Sequence, residues 1–269
     1  MSAVKKVERL TFPFQTPDPF LFAVYHDDKY PPGDGQMRAP RTGNGADFNP
    51  SASYRMYHGE RVPGFPQHPH RGFETITATM EGLVDHTDSV GNAGRYGQGD
   101  VQWMTAGKGI VHSEMPEQED GLLMGFQLWI NLPAEHKMTE PGYQEFSPEG
   151  VPLERRDNGT EVRVVSGETT HGTTGPVENT FVQPTYLDVQ LPAGQRFRQP
   201  VAADDQAFVF VIDGELSVGG QETSVGRRVL GILGEGEQIE VQAGDEGCTV
   251  MTLDWLGRRT PRPAESDCW

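Results

Sequence analysis

The sequence predicts an all-β protein built as two tandem antiparallel β-barrels. Three features point there. Apolar and polar residues alternate with period two over short segments, turn-forming Gly, Asn and Asp clusters separate those segments at short intervals, and no stretch carries a helical period. The 33 glycines and 21 prolines among 269 residues exceed ordinary usage and supply the turns.

The N-terminal arm is mixed. Within PFLFAVYHDDKYPP, residues 20–25 read as one strand, whereas Pro31, Pro32 and the run from Gly33 to Gly45 read as a long loop laid over the rest. From Arg71 the pattern sharpens. In GFETITATMEGLVDHTD, Glu74, Ile76, Ala78 and Met80 fall on one face and Phe73, Thr75, Thr77 and Thr79 on the other. Glu81-Gly82 breaks the alternation and Leu83 resumes it, which reads as a β-hairpin. Strands follow over residues 99–105, 109–113 and 122–131, set apart by Gly91-Asn92, by Gly97 to Asp100 and by Ala106 to Gly109. Leu132 to His136 opens a single helical turn, so the first domain is drawn as residues 1–135 and the second as 136–269.

In the second domain the strongest strand is residues 207–212, AFVFVI, stopped by an Asp213-Gly214 turn. EVRVVSGE, YLDVQLPAG, ELSVGG, RRVLGIL, EQIEVQAG and GCTVMTLDWL supply the others. TITATMEGLVDH and FVFVIDGELSVGG share the order strand, acid plus glycine, strand, which reads as an internal duplication.

A formal charge of -17 repels phosphate backbones and anionic membrane surfaces, so neither nucleic acid nor membrane is an expected partner. Cys248 and Cys268 form no CxxC pair and no disulfide framework, which points to a reducing compartment. No apolar run reads as a secretory leader or a membrane span; the expectation is a cytoplasmic protein.

Chemistry concentrates in HPHRGFE, residues 68–74. His68 and His70 share strand parity, so in extended backbone both imidazoles leave one face about 7 Å apart at the main chain. Glu74 shares that parity unless Gly72 carries a bulge. Some forty residues on, His112 and Glu114 repeat the one-residue spacing after a glycine-rich turn. Three imidazoles and a carboxylate suit a borderline ion such as Fe, Ni, Cu, Mn or Zn and exclude an all-oxygen Ca or Mg site. Glu74 reads either as a further ligand or as the acceptor that fixes a histidine tautomer. His58, His86, His136 and His171 lack a paired spacing and read as surface or internally satisfied residues.

GFPQHPHRGFETITATMEG (residues 64–82), GDVQWMTAGKGIVHSEMP (99–116) and FQLWINLP (126–133), with PTYLDVQLPAG in the second half, resemble the pirin family of the cupin superfamily over most of residues 15–256. The resemblance implies a monomeric bicupin of jelly-roll type whose N-terminal barrel alone holds metal. It implies His68, His70, His112 and Glu114 as ligands and Fe(II) as the ion, with Zn, Mn, Ni, Cu or Co as the others such a site would take. RFRQPVAADDQAF, where the second barrel would carry its first motif, has no histidine. By the same resemblance, the function would be quercetin 2,3-dioxygenase-like cleavage of a flavonol or related planar enolic aromatic by O2, with Glu114 or Glu74 as the catalytic proton acceptor. The other function the family suggests is a non-enzymatic, iron-dependent redox sensor that binds a protein partner.

Overall fold

A computed structural model describes residues 4–9, 16, 19–31, 51–57, 62–116, 122–203, 205–220 and 224–255. The loop expected over residues 33–45, His58 and Cys268 lie outside the described residues. The chain divides into two compact units, one from residues 11–148 and one from residues 149–259 together with the first strand, β1 (Val4–Arg9).

The first unit holds β2 (Phe20–Lys29), β3 (Phe65–His70), β4 (Phe73–Glu81), β5 (Leu83–Asp88), β6 (Ala93–Gly97), β7 (Val101–Thr105), β8 (Ile110–Pro116), β9 (Leu122–Asn131) and β10 (Gly142–Phe146). They form a five-stranded sheet in the order β10-β7-β4-β9-β2 and a four-stranded sheet in the order β3-β8-β5-β6. Contacts such as Gln127 to Glu114 and His70 to Trp129 join the two sheets face to face. The helical turn expected near His136 is present as a short 3-10 turn, Ala134–His136.

The second unit holds β11 (Leu153–Arg155), β12 (Glu161–Ser166), β13 (Thr185–Leu191), β14 (Arg196–Pro200), β15 (Gln206–Val218), β16 (Ser224–Gly226), β17 (Val229–Leu233) and β18 (Gln238–Trp255). With β1 they make one nine-stranded sheet running β1-β17-β15-β18-β13-β12-β11, with β14 on β18 and β16 on β15. Its core is aliphatic: Val162, Val164, Val189, Val209, Val241 and Val250 are fully buried, each contributing roughly 1.5–3 kcal/mol by burial. On β14 the inward positions carry Phe197 and Gln199, with no imidazole among them.

The all-β prediction holds in both units, but the expected closed barrels do not form. Among the described residues every sheet is open, ending at β2 and β10, at β3 and β6, and at β1 and β11. A barrel needs the ladder of hydrogen bonds to continue around its circumference. Here the first unit's chain changes sheets at turns where that ladder breaks. β4 pairs with β7 and β9 whereas β5 pairs with β6 and β8, so Glu81-Gly82 is a corner between sheets and not the expected hairpin. Gly82 takes φ +85°, and a Cβ on Gly97 would stand 2.0 Å from the Gly82 carbonyl oxygen, so the corner closes only on a glycine at 97. Asp213-Gly214 is likewise no turn. β15 runs straight through it, and the pairing with β18 shifts register on either side, as at a bulge. No helix among the described residues is long and apolar enough to cross a membrane.

Candidate metal centre

β3 and β8 lie side by side with His68 opposite His112. His68 and His70 leave β3 on one face, as i and i+2 residues of a strand must, and His112 projects to meet them. The Nε2 atom of His68 is 3.1 Å from that of His70 and 2.9 Å from that of His112. Among the described residues this triad is the group of ligand-type side chains close enough to hold an ion, its ligand atoms all within 4.8 Å of one another.

The triad fits a transition metal on three counts. Nitrogens bound at right angles to one ion at about 2.1 Å stand roughly 3 Å apart, which is the spacing seen. His68 Nδ1 lies 2.8 Å from the Pro66 carbonyl oxygen, which can only accept, so Nδ1 carries the hydrogen and Nε2 keeps its lone pair for a metal. His70 and His112 are 4% and 1% exposed. Burial first, then the neighbouring imidazoles, push His70 down to about 3; burial, resisted by Glu114, brings His112 down to about 4. Both therefore stand neutral near pH 7, the form that ligates.

Glu114 shares the inner face of β8 with His112 but lies outside the compact triad. Tyr96 donates to its Oε1 at 2.6 Å, and Gln127 Nε2 donates to both of its oxygens at 3.1 and 3.2 Å. Trp129 Nε1 donates to Gln127 Oε1 at 3.1 Å, which turns the amide so that its NH2 faces Glu114. Burial would raise the Glu114 carboxyl, but His112, Tyr96, His68 and Gln127 outweigh it and hold the group at about 2. Such an acid is a good anionic ligand and a weak proton acceptor.

Glu74 is not brought to this site. Along β4, Thr77 points toward it, accepting from Gln127, and Phe73 packs on His70 at 4.9 Å; Glu74 has the opposite parity. Its carboxyl accepts from Thr105 at 2.7 Å on the other face of the five-stranded sheet. Burial pushes it up to about 7, with Thr105 and Trp103 opposing. A carboxyl raised in the fold costs stability as pH climbs from about 4.5 through 7. Glu74→Gln is therefore expected to keep its full metal content and to flatten the fall in melting temperature between pH 5 and 8. Metal loss in this variant would show that Glu74 reaches the ion after all.

Sequence reasoning missed three neighbours. Tyr96 and Gln127 come from β6 and β9, on opposite sheets, so no local spacing links them to Glu114; the hint was the polar Gln127 in the middle of the apolar run LLMGFQLWI. His86 sits opposite Glu114 on β5, 1% exposed, its ring 5.3 Å from His112 and its Nε2 3.5 Å from Asp88. Its signal was the His-x-Asp spacing of His86 and Asp88 within a strand. His136 and His171 are exposed side chains, each 3.7 Å from a glutamate, Glu135 and Glu154, in line with the surface reading.

Family models for "Pirin" and "Pirin C-terminal cupin domain" match residues 6–130 and 186–255. The chain belongs to the pirin family. A pirin-like protein of Caulobacter vibrioides is 50% identical over 180 residues, 67% of this chain and 64% of that protein, so just under two thirds of the relative is spanned. Human pirin is 38% identical over 203 residues, 74% of this chain and 68% of the human protein. Among solved structures, a quercetin 2,3-dioxygenase of Acinetobacter baumannii superposes with a TM-score of 0.78 at 27% identity, covering 99% of this chain and 91% of that one. This pirin-family chain thus joins a three-histidine metal site to homology with a quercetinase.

Proposed function

We propose that this pirin is a metal-dependent dioxygenase of the quercetin 2,3-dioxygenase type, opening a flavonol or a related planar enolic aromatic with O2. The single observation that carries the reading is the convergence of three Nε2 atoms, 2.9 and 3.1 Å apart, beside an aromatic wall. In that wall Trp129 stacks on Phe73 at 4.6 Å and 21°, and His70 packs against both. When bound, Fe(II) would supply a Lewis-acidic, redox-active centre where an enolate oxygen and O2 can meet.

His68, His70 and His112 would hold the ion, and Glu114 would complete the set as the fourth ligand. Three neutral imidazoles and one carboxylate leave an Fe(II) site with a net positive charge, which favours an anionic substrate oxygen. Tyr96 and Gln127 fix the Glu114 carboxylate. A lone pair left on that carboxylate would accept a hydrogen bond from the substrate's enolic hydroxyl and orient it toward the ion. Trp129, backed by the fully buried Phe73, would offer a flat surface for a substrate ring and keep water from it.

The reading is tested by loading anaerobically purified protein with Fe(II), adding quercetin and admitting oxygen. Flavonol absorbance is expected to fall well above a free-iron control while carbon monoxide appears. No loss beyond the control would overturn it for flavonols.

A further inference from the structure

A second polar pair lies on the inner face of the five-stranded sheet. Phe22, Val24, His26 and Asp28 alternate along β2 onto one side, and the cross-strand partner of Val24 is Gln127, the residue that holds Glu114. Phe22, Val24, Tyr57, Phe73 and Trp129 form one apolar cluster, with Phe65 packed against it, so the aromatic wall of the metal centre runs on toward His26. His26 stands two residue rises, about 7 Å, along β2 from the position opposite Gln127.

The pair is built with care for one orientation. Asp28 is fully buried and His26 is 6% exposed. His26 Nδ1 meets Asp28 Oδ2 at 3.0 Å, and Asp28 Oδ1 has no hydrogen-bond partner among the described residues. The imidazole is held edge-on by Tyr57 at 5.2 Å and Phe65 at 5.6 Å. Stability alone does not call for this arrangement, because an apolar pair of equal volume would avoid the cost of removing two polar groups from water. With Nδ1 engaged by the carboxylate, Nε2 is the ring nitrogen left to meet a partner, and the side chain keeps 8% of its surface open.

Resting on the dioxygenase reading, we infer that His26 is a specificity residue. Its Nε2 accepts a hydrogen bond from a phenolic hydroxyl at the end of the planar substrate remote from the ion, with Asp28 as the positioning residue and Tyr57 and Phe65 flanking the imidazole. The substrate class is thereby narrowed to enolic aromatics that carry a hydroxyl on an outer ring.

The test compares quercetin with 3-hydroxyflavone, which has the same enol and no outer-ring hydroxyl, on iron-loaded wild type, H26F, D28N and D28L. Metal content and melting temperature confirm that each variant is folded and loaded, and H26F keeps a ring in place of a ring. H26F is expected to raise KM for quercetin about tenfold, the loss of one hydrogen bond, with kcat near wild type and 3-hydroxyflavone unaffected. D28L should follow H26F, and D28N, whose amide oxygen still accepts from Nδ1–H, should recover part of the loss; if D28L does not fold, D28N decides. Equal effects on both flavonols, or no effect, would overturn the inference while leaving the dioxygenase reading intact. If wild type turns over neither, Kd values from tryptophan quenching separate the two ideas: selective binding of quercetin lost in H26F sinks only the reaction, and unselective or absent binding sinks the inference as well.

Discussion

His112→Ala is expected to lower the affinity of the protein for Fe(II) by more than about 100-fold, because even residues that merely support a ligand cost 10- to 100-fold when removed. Its imidazole is the one contribution of β8 to the triad, and without it two histidines of a single strand remain. Quercetin turnover should fall to the free-iron background. Metal content after dialysis is the direct measurement, read beside circular dichroism so that unfolding is not mistaken for ligand loss. Glu114→Gln belongs in the same series: a smaller but clear loss of metal follows if Glu114 is the fourth ligand. A His112→Ala protein that still binds Fe(II) at wild-type affinity would remove the basis of the proposed chemistry.

Acid is expected to release the metal only well below the range in which an ordinary histidine titrates. The folded pKa values of about 3 for His70 and about 4 for His112 lie below the unfolded value near 6.5. The unfolded chain takes up these protons first, so the stability tied to the neutral rings is complete above about pH 6.5 and drains away as pH falls toward 4 and 3. Glu114, held at about 2, stays anionic across the same window. Iron should therefore remain bound at pH 5, where free imidazole is almost wholly protonated. Equilibrium dialysis across pH 7 to 3, with circular dichroism in parallel, checks this; release centred near pH 6.5 would contradict the buried, neutral triad.

The parts of this site written in strand parity were legible. His68, His70 and His112 occupy two adjacent strands, and an i, i+2 spacing fixes a common face whatever surrounds it. Parity also divided β4 correctly into Phe73, Thr75 and Thr77 against Glu74 and Ile76, yet both faces of that strand are buried, so alternation could not say which one fronts the imidazoles. Period two is a local property, and partner choice is not. A strand that resumes after Glu81-Gly82 looks the same whether it folds back as a hairpin or turns a corner into another sheet. For the same reason Asp213-Gly214 read as an end where β15 carries a bulge, and the barrels inferred from these turns are open sheets. Tyr96, Gln127 and His86 converge on the site from three further strands, β6, β9 and β5, a relation that only tertiary pairing supplies.

The pairing of β1 with β17 gives the first residues of the chain a protective duty. Lys5, Lys6 and Glu8 make β1 a charged border, the kind that discourages a second molecule from adding its own strand. Trimming the chain to residue 11 would strip that border and bare the unpaired main-chain groups of VLGIL, an apolar invitation to self-association. Loss of solubility after such a truncation would thus speak of a missing guard strand in the second unit, and not of damage to the histidine triad.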